Sequence, residues 1–222
     1  MIKEMYLVRG TGEENYKDFK SRIFQLAEVV GTETRPAALR LVLTEAPAPS
    51  VSIIPFKKSK LAVISIYKES GTPVQYLLKA KGFAGAFAVE EAIPVSYERT
   101  WPIGMSSPGV CLLTLFHRKP GIDQSTFLDR WHNSHTPLTL KIHPLYSYNR
   151  NVVKEKLSEH PAWYDGIVEE QTRTRAELLN PFKFFGRPHR VIQNMIAVYW
   201  DTKSFLDYKK IETYLTVEYL LL

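Results

Sequence analysis

The chain has 222 residues, 45% apolar, 12% aromatic and 23% charged. That composition belongs to a globular protein of one large or two smaller domains and excludes a disordered, collagenous or disulfide-scaffold chain. The one cysteine, Cys111, permits no intrachain disulfide and no cysteine-based zinc site. No apolar run approaches the ~18 residues of a membrane span, and no signal-like stretch follows Met1, so the expected location is the cytosol, away from membranes. The net charge of +6 is spread evenly, with 14 Lys/Arg against 11 Asp/Glu in residues 1–109 and 15 against 12 in residues 110–222. Its longest basic cluster, Lys57-Lys58-Ser59-Lys60, reads as a solvated loop. Nucleic acid is therefore not an expected partner.

Met5 to Arg9 reads as a strand. Tyr16, Phe19, Ile23, Leu26, Ala27 and Val30 then form one apolar helical stripe, which Gly31 is placed to end. Leu39 to Thr44 is a second strand, Ala46 to Ser59 a proline-bearing connection, and Lys60 to Lys68 a third strand. Thr72-Pro73 starts a short helix that closes near Gly82, and Phe83 to Tyr97 is a fourth strand. This order is the split βαβ of a ferredoxin-like fold.

After a linker dense in breakers, Trp101 to Gly109, the order repeats. Val110 to His117 is a strand, and Asp123 can N-cap a helix carrying Phe127, Trp131 and His135. Leu145 to Val153 and Tyr164 to Thr172 are strands, Arg175 to Phe185 and Met195 to Leu206 are helical, and Thr213 to Leu222 is a last strand. Phe19-Lys20-Ser21-Arg22-Ile23 parallels Phe127-Leu128-Asp129-Arg130-Trp131, and Val89-Glu90 parallels Val217-Glu218. The expected fold is α+β, with ferredoxin-like halves at 1–104 and 110–222. Their two sheets would pack face to face as an α+β barrel within one chain. All six histidines lie in the second half, while Ile23, Phe24 and Ala27 align with Trp131, His132 and His135. The first half thus reads as structural, with a degenerate site.

The densest chemistry is Trp131-His132-Asn133-Ser134-His135-Thr136-Pro137-Leu138. Trp131 and His135 share a helix face, and His132 and His135 are neighbours along the helix. Pro137 disfavours helical geometry at Thr136, so the helix is expected to bend or restart there, leaving His135 at a helix end. Histidine suits proton transfer near neutral pH, and an apolar pocket beside Trp131 favours its neutral form. Spacing alone also allows a solvent-facing His132 and a His135 that only bonds a backbone carbonyl. No metal or other cofactor is expected. A single metal needs a third ligand beyond the histidine pair, with His143 and Glu170 as candidates, and haem through one axial histidine is a further alternative.

Leu113-Thr114-Leu115-Phe116-His117-Arg118-Lys119-Pro120-Gly121, Phe127, the Trp131 to Leu138 segment and Tyr148-Asn149-Arg150-Asn151 together resemble the EthD family. Tyr164-Asp165-Gly166-Ile167-Val168-Glu169-Glu170 resembles its third strand, in which Asp-Gly precedes Glu. Leu178 to Asp207 departs from the minimal family pattern. The resemblance implies the dimeric α+β barrel fold, here built by two halves of one chain. That superfamily includes cofactor-independent oxygenases, cyclases, decarboxylases and isomerases as well as haem enzymes.

The resulting expectation is a pocket for a small apolar or aromatic, polyketide-like molecule. Trp131, Tyr148, Asn151, Trp163 and Phe185 would bind it, His135 would act as base, and His132 would support it as a second proton carrier. The alternative is a non-catalytic binding or accessory protein using the same pocket. Self-association as a homodimer is left open.

Overall fold

The computed structural model describes every residue except 70 and 71. Its strands are β1 (Ile2–Arg9), β2 (Ala38–Leu43), β3 (Leu61–Lys68), β4 (Phe83–Val95), β5 (Val110–Phe116), β6 (Leu145–Lys156), β7 (Gly166–Thr172) and β8 (Glu212–Leu220). The helices are α1 (Tyr16–Thr34), α2 (Gln75–Leu78), α3 (Gln124–Asp129), α4 (Thr136–Ile142), α5 (Arg175–Leu179), α6 (Pro181–Phe184) and α7 (Val191–Phe205), and a π-helical turn, Arg130–His135, joins α3 to α4. The architecture is α+β, with the strands closed into one barrel in the order β1-β3-β2-β8-β5-β7-β6-β4. Among the described residues, no helix is long and apolar enough to cross a membrane.

Strands β1 to β4 lie in the order β4-β1-β3-β2, and β5 to β8 in the order β6-β7-β5-β8. In place of two stacked sheets, β2 pairs with β8 and β4 with β6, all antiparallel. Closure satisfies the backbone groups that two separate sheets would leave at their edges.

Alternation along the strands separates two cores. Met5, Leu7, Val63, Phe87, Leu113, Leu115, Ile167 and Tyr214 belong to one buried cluster inside the barrel. Tyr6, Val8, Leu41, Ile64 and Ala86 pack outward against Phe19, Ile23, Ala27 and Val30 of α1. Asn15 caps α1, its side chain accepting from the Asp18 N–H at 2.9 Å. The helix runs past Gly31, where the sequence places its end, and stops at Thr34. Pro36 has no N–H to continue the ladder, and Arg35 turns the chain with φ 41°.

Other boundaries shift for equally local reasons. Helix α2 spans only Gln75–Leu78, because Gly82 is committed elsewhere. Its carbonyl accepts the Arg9 N–H at 2.7 Å, and its φ of +81° would hold a Cβ 2.1 Å from the Arg9 oxygen. The expected helix from Arg175 to Phe185 is two short helices, broken where Pro181 cannot donate and Asn180 caps Phe182. Helix α7 begins at Val191, before the expected Met195.

Toward one mouth the barrel interior becomes polar. Lys3 Nζ lies 2.7 Å from Glu91, 2.8 Å from Asn151 and 3.7 Å from Glu169. Arg40 donates to Glu169 at 3.1 Å and through Nε to Glu218 at 3.0 Å. Burial opposes ionisation of Glu218, yet the Arg40 charge and hydrogen bonds from Ser107 and Tyr97 hold its carboxyl down at about 2. The cluster draws Lys3, Arg40 and Glu91 from one run of strands and Asn151, Glu169 and Glu218 from the other.

Two outcomes follow. Arg40→Met strands two buried carboxylates and should cost about 3–5 kcal/mol in urea unfolding, whereas Lys154→Ala, in an exposed pair with Glu90, should cost under about 0.5 kcal/mol. Because folding lowers the Glu218 pKa from 4.5 to about 2, its contribution is full above pH 4.5 and is lost as pH falls toward 2. An acid titration of stability should therefore show a loss in that window that is absent from Glu218→Gln.

Candidate functional site

The outward faces of β5, β6 and β7 carry Leu112, Thr114, Phe116, Tyr148, Val168 and Glu170, which form one wall of a cavity of about 270 Å³. The π turn and α4 add Trp131, His135 and Thr139. The segment after Leu178 completes it with Phe184, Phe185, Val198, Thr202 and Phe205. Ile54 and Pro55 reach the cavity from the irregular connection before β3.

Local sequence dictates how the histidine arrives there. Asp123 caps α3 by accepting from the Thr126 N–H at 2.7 Å. Phe127 and Trp131 then pack on Phe116, with the Phe116 and Trp131 rings edge to face at 4.9 Å. Pro137 cannot donate to the ladder, and the helix widens: the Thr136 N–H and hydroxyl both donate to the Trp131 carbonyl, the hydroxyl at 2.9 Å. The expected bend is thus a π turn that re-enters α-helix at Thr136. His135 keeps right-handed helical geometry (φ −67°) and sits at no free helix end.

Its imidazole is held at both nitrogens. Nδ1 lies 2.7 Å from Asp201 Oδ2, and Nε2 lies 3.1 Å from the Thr139 hydroxyl. Burial opposes ionisation of Asp201, but hydrogen bonds from His135 and Ser134 hold its carboxyl below the ordinary range. An ionised Asp201 assigns the proton to Nδ1 and leaves Nε2 as the acceptor. His143 Nδ1 donates to the Phe184 carbonyl at 2.9 Å, and its ring stacks on Phe184 at 3.9 Å. Burial lowers its pKa to about 4, so it is neutral at pH 7. Burial also raises the Glu170 carboxyl to about 7 and pushes the Tyr148 hydroxyl up. The site therefore pairs an apolar, aromatic volume with several groups able to hold or move protons.

Of the residues singled out in the sequence, Trp131, His135, Tyr148 and Phe185 meet at this cavity. His132, Asn151 and Trp163 do not. The π turn separates His132 from His135, and the buried Nε2 of His132 has no hydrogen-bond partner among the described residues. Burial, then Arg150, lower the His132 pKa, with Glu90 opposing. Asn151 is three residues from Tyr148 on one strand and so faces the opposite way. Inside the barrel it accepts from Lys3 and donates to the Ile167 carbonyl at 3.0 Å. Trp163 packs against Phe87, with ring centroids 6.4 Å apart.

Asp201 and Thr139 were missed. No spacing ties Asp201 to a histidine 66 residues away, although it is the only acidic residue of the otherwise largely apolar α7. His143 and Glu170, considered in the sequence as metal ligands, instead face the cavity. Among the described residues, no group of three or more His, Cys, Asp or Glu gathers as a metal site.

The Asp-Gly signature has a packing role. Asp165 accepts the Arg118 N–H at 2.8 Å, and a Cβ on Gly166 would fall 2.5 Å from the Phe116 ring and 2.7 Å from Trp131. Gly166→Ala should therefore displace Trp131 and cost about 1–3 kcal/mol. Thermal melting and tryptophan fluorescence would show both effects, and an unchanged melt and spectrum would refute the packing role.

No curated protein matches the chain. Among solved structures, an anthrone oxidase-like protein superposes with a TM-score of 0.61 at 10% identity, over 100% of this chain and 91% of that one. A "Putative monooxygenase" of Fusobacterium nucleatum superposes with a TM-score of 0.53 at 12% identity, over 100% of this chain and 92% of that one. Identities this low show a shared fold alone. The family comparison is local and agrees with the motifs around the cavity: residues 119–186 match the EthD domain, and the match includes Leu178 to Gly186, where the sequence places a departure from that pattern.

Proposed function

We propose that the cavity binds a small apolar or aromatic, polyketide-like molecule and that His135 acts on it as a base. The observation that carries this reading is the Asp201–His135 pair at the wall of an aromatic cavity, with Nε2 left as the acceptor. Asp201 fixes the tautomer and stabilises the imidazolium formed when Nε2 takes a proton. A positioned histidine contributes about a hundred- to ten-thousand-fold, enough for an already acidic phenol or 1,3-dicarbonyl compound. The names of the two structural neighbours, an anthrone oxidase-like protein and a "Putative monooxygenase", set an oxygenase beside a cyclase, decarboxylase or isomerase among the reactions such a base can start. We further read the two four-strand runs as ferredoxin-like halves, 1–104 structural and 110–222 bearing the site, on the strength of their matching strand orders.

One observation favours a binding-only role: Thr139 already occupies Nε2, so a substrate proton must displace it. A turnover screen of phenolic and 1,3-dicarbonyl aromatics, run beside thermal-shift binding, separates the two. His135→Ala should lower turnover about a hundredfold or more at unchanged circular dichroism, and Asp201→Asn should lower it less. A His135→Ala protein that melts lower yet turns over and binds normally would remove His135 from the site.

A further inference from the structure

Glu170 is a buried carboxyl without compensation. It lies on the outward face of β7, directly opposite Tyr148 on β6 and Leu112 on β5. Burial raises its pKa, and no charge or hydrogen-bond donor among the described residues offsets that burial. The Tyr148 hydroxyl is also buried, close to Trp131 and Thr136, and among the described residues it makes no hydrogen bond of good geometry. Adjacent residues show what an ordinary buried acid requires: Glu169, facing the barrel interior, is held by Arg40 at 3.1 Å and Lys3 at 3.7 Å. A carboxyl and a hydroxyl at directly paired positions of two strands, both lining a cavity, form a polar subsite that an incoming group can complete.

We infer that Glu170 and Tyr148 bind a carbonyl or phenolic oxygen of the ligand, and that Glu170 gives that oxygen a proton while His135 takes one from carbon. This rests on the cavity and base proposed above and narrows the ligand class to enolisable aromatic ketones and their phenolic tautomers. His135 Nε2 accepts the proton of a C–H beside the carbonyl, and the C–H electron pair becomes a C=C bond. The carbonyl π pair takes the Glu170 proton to form O–H. The product is the enol, and no electrons leave the ligand. Glu170 is left as carboxylate and His135 as imidazolium, and one proton exchanged with solvent at each restores them.

The donor form of Glu170 is present below about pH 7 and is lost above it, because burial has raised its pKa to about that value. The other titratable groups lining the cavity are His135, which is bonded to Asp201 behind it, His143, Tyr148 and Tyr208, and among the described residues no Lys, Arg or second carboxylate lines it. His143, lowered to about 4, carries no charge through that range.

The test uses β-tetralone, whose C–H between ring and carbonyl is acidified by both, and tetralin, which has the same two-ring frame without oxygen. Calorimetric binding should favour β-tetralone by about tenfold or more in the wild type, and both Glu170→Gln and Tyr148→Phe should lose most of that preference. Hydrogen–deuterium exchange at the carbon beside the carbonyl, followed by NMR, should be accelerated by the wild type and slowed about a hundredfold in Glu170→Gln and in His135→Ala. The wild-type rate should fall as pH rises through 7, a limb that Glu170→Gln lacks. Melting curves check that each variant is folded. A Glu170→Gln protein that keeps both the preference and the pH limb overturns the assignment, as does wild-type binding of both compounds without preference. If neither compound binds the wild type, the reading of the cavity itself falls, and this inference falls with it.

Discussion

Arg40 is buried inside the barrel between Glu169 and Glu218, and satisfying that charge constrains everything around it. It sits on β2, Glu218 is on the neighbouring β8, and Glu169 reaches in from β7. Lys3 on β1 extends the cluster to Glu91 on β4 and Asn151 on β6. Buried charges are tolerated only when their partners are held in place, so the cluster ties together strands that lie far apart in sequence. The β2–β8 seam is thereby set in register, from Arg40 opposite Leu220 to Leu43 opposite Val217. That register carries β5 and β7 with it, and their outward residues form the cavity wall.

Adjacent residues on these strands consequently have unrelated duties. Glu169 is a structural anion facing Arg40, while Glu170 faces the cavity alone. Asn149 and Asn151 belong to the interior network, while Tyr148 between the helices and the sheet belongs to the site. A strand alternates its side chains between faces, so one short stretch can serve both without compromise.

This alternation also explains what was legible in the sequence. The order of elements and the α+β class followed from apolar periodicity and breakers, and the Asp123 cap and the disturbance at Pro137 from single residues. Trp131, His135, Tyr148 and Phe185, which line one cavity, are each marked in the sequence by a family motif or an aromatic cluster. Asn151 was misplaced although strand parity alone separates it from Tyr148. His132 was misplaced because a π turn leaves no periodic trace in one sequence. Asp201 was invisible because only the packing of α7 over the π turn brings it to His135, and no local pattern encodes a contact across 66 residues. Two stacked sheets were expected where the edges in fact join, since strand order says little about which edges meet.

Gly166 has a consequence for how such a cavity can change over evolutionary time. Its hydrogen atom is all that separates the backbone of β7 from the Phe116 and Trp131 rings. Even the smallest side chain there moves the tryptophan that lines the cavity, so the floor cannot be raised by single, near-neutral steps. Residues contributed after Leu178, such as Phe185 just past α6 and Val198 on α7, lie off the barrel and are free of that restriction. A change in what the cavity admits therefore costs less in the helical roof than on the barrel-side floor at Gly166.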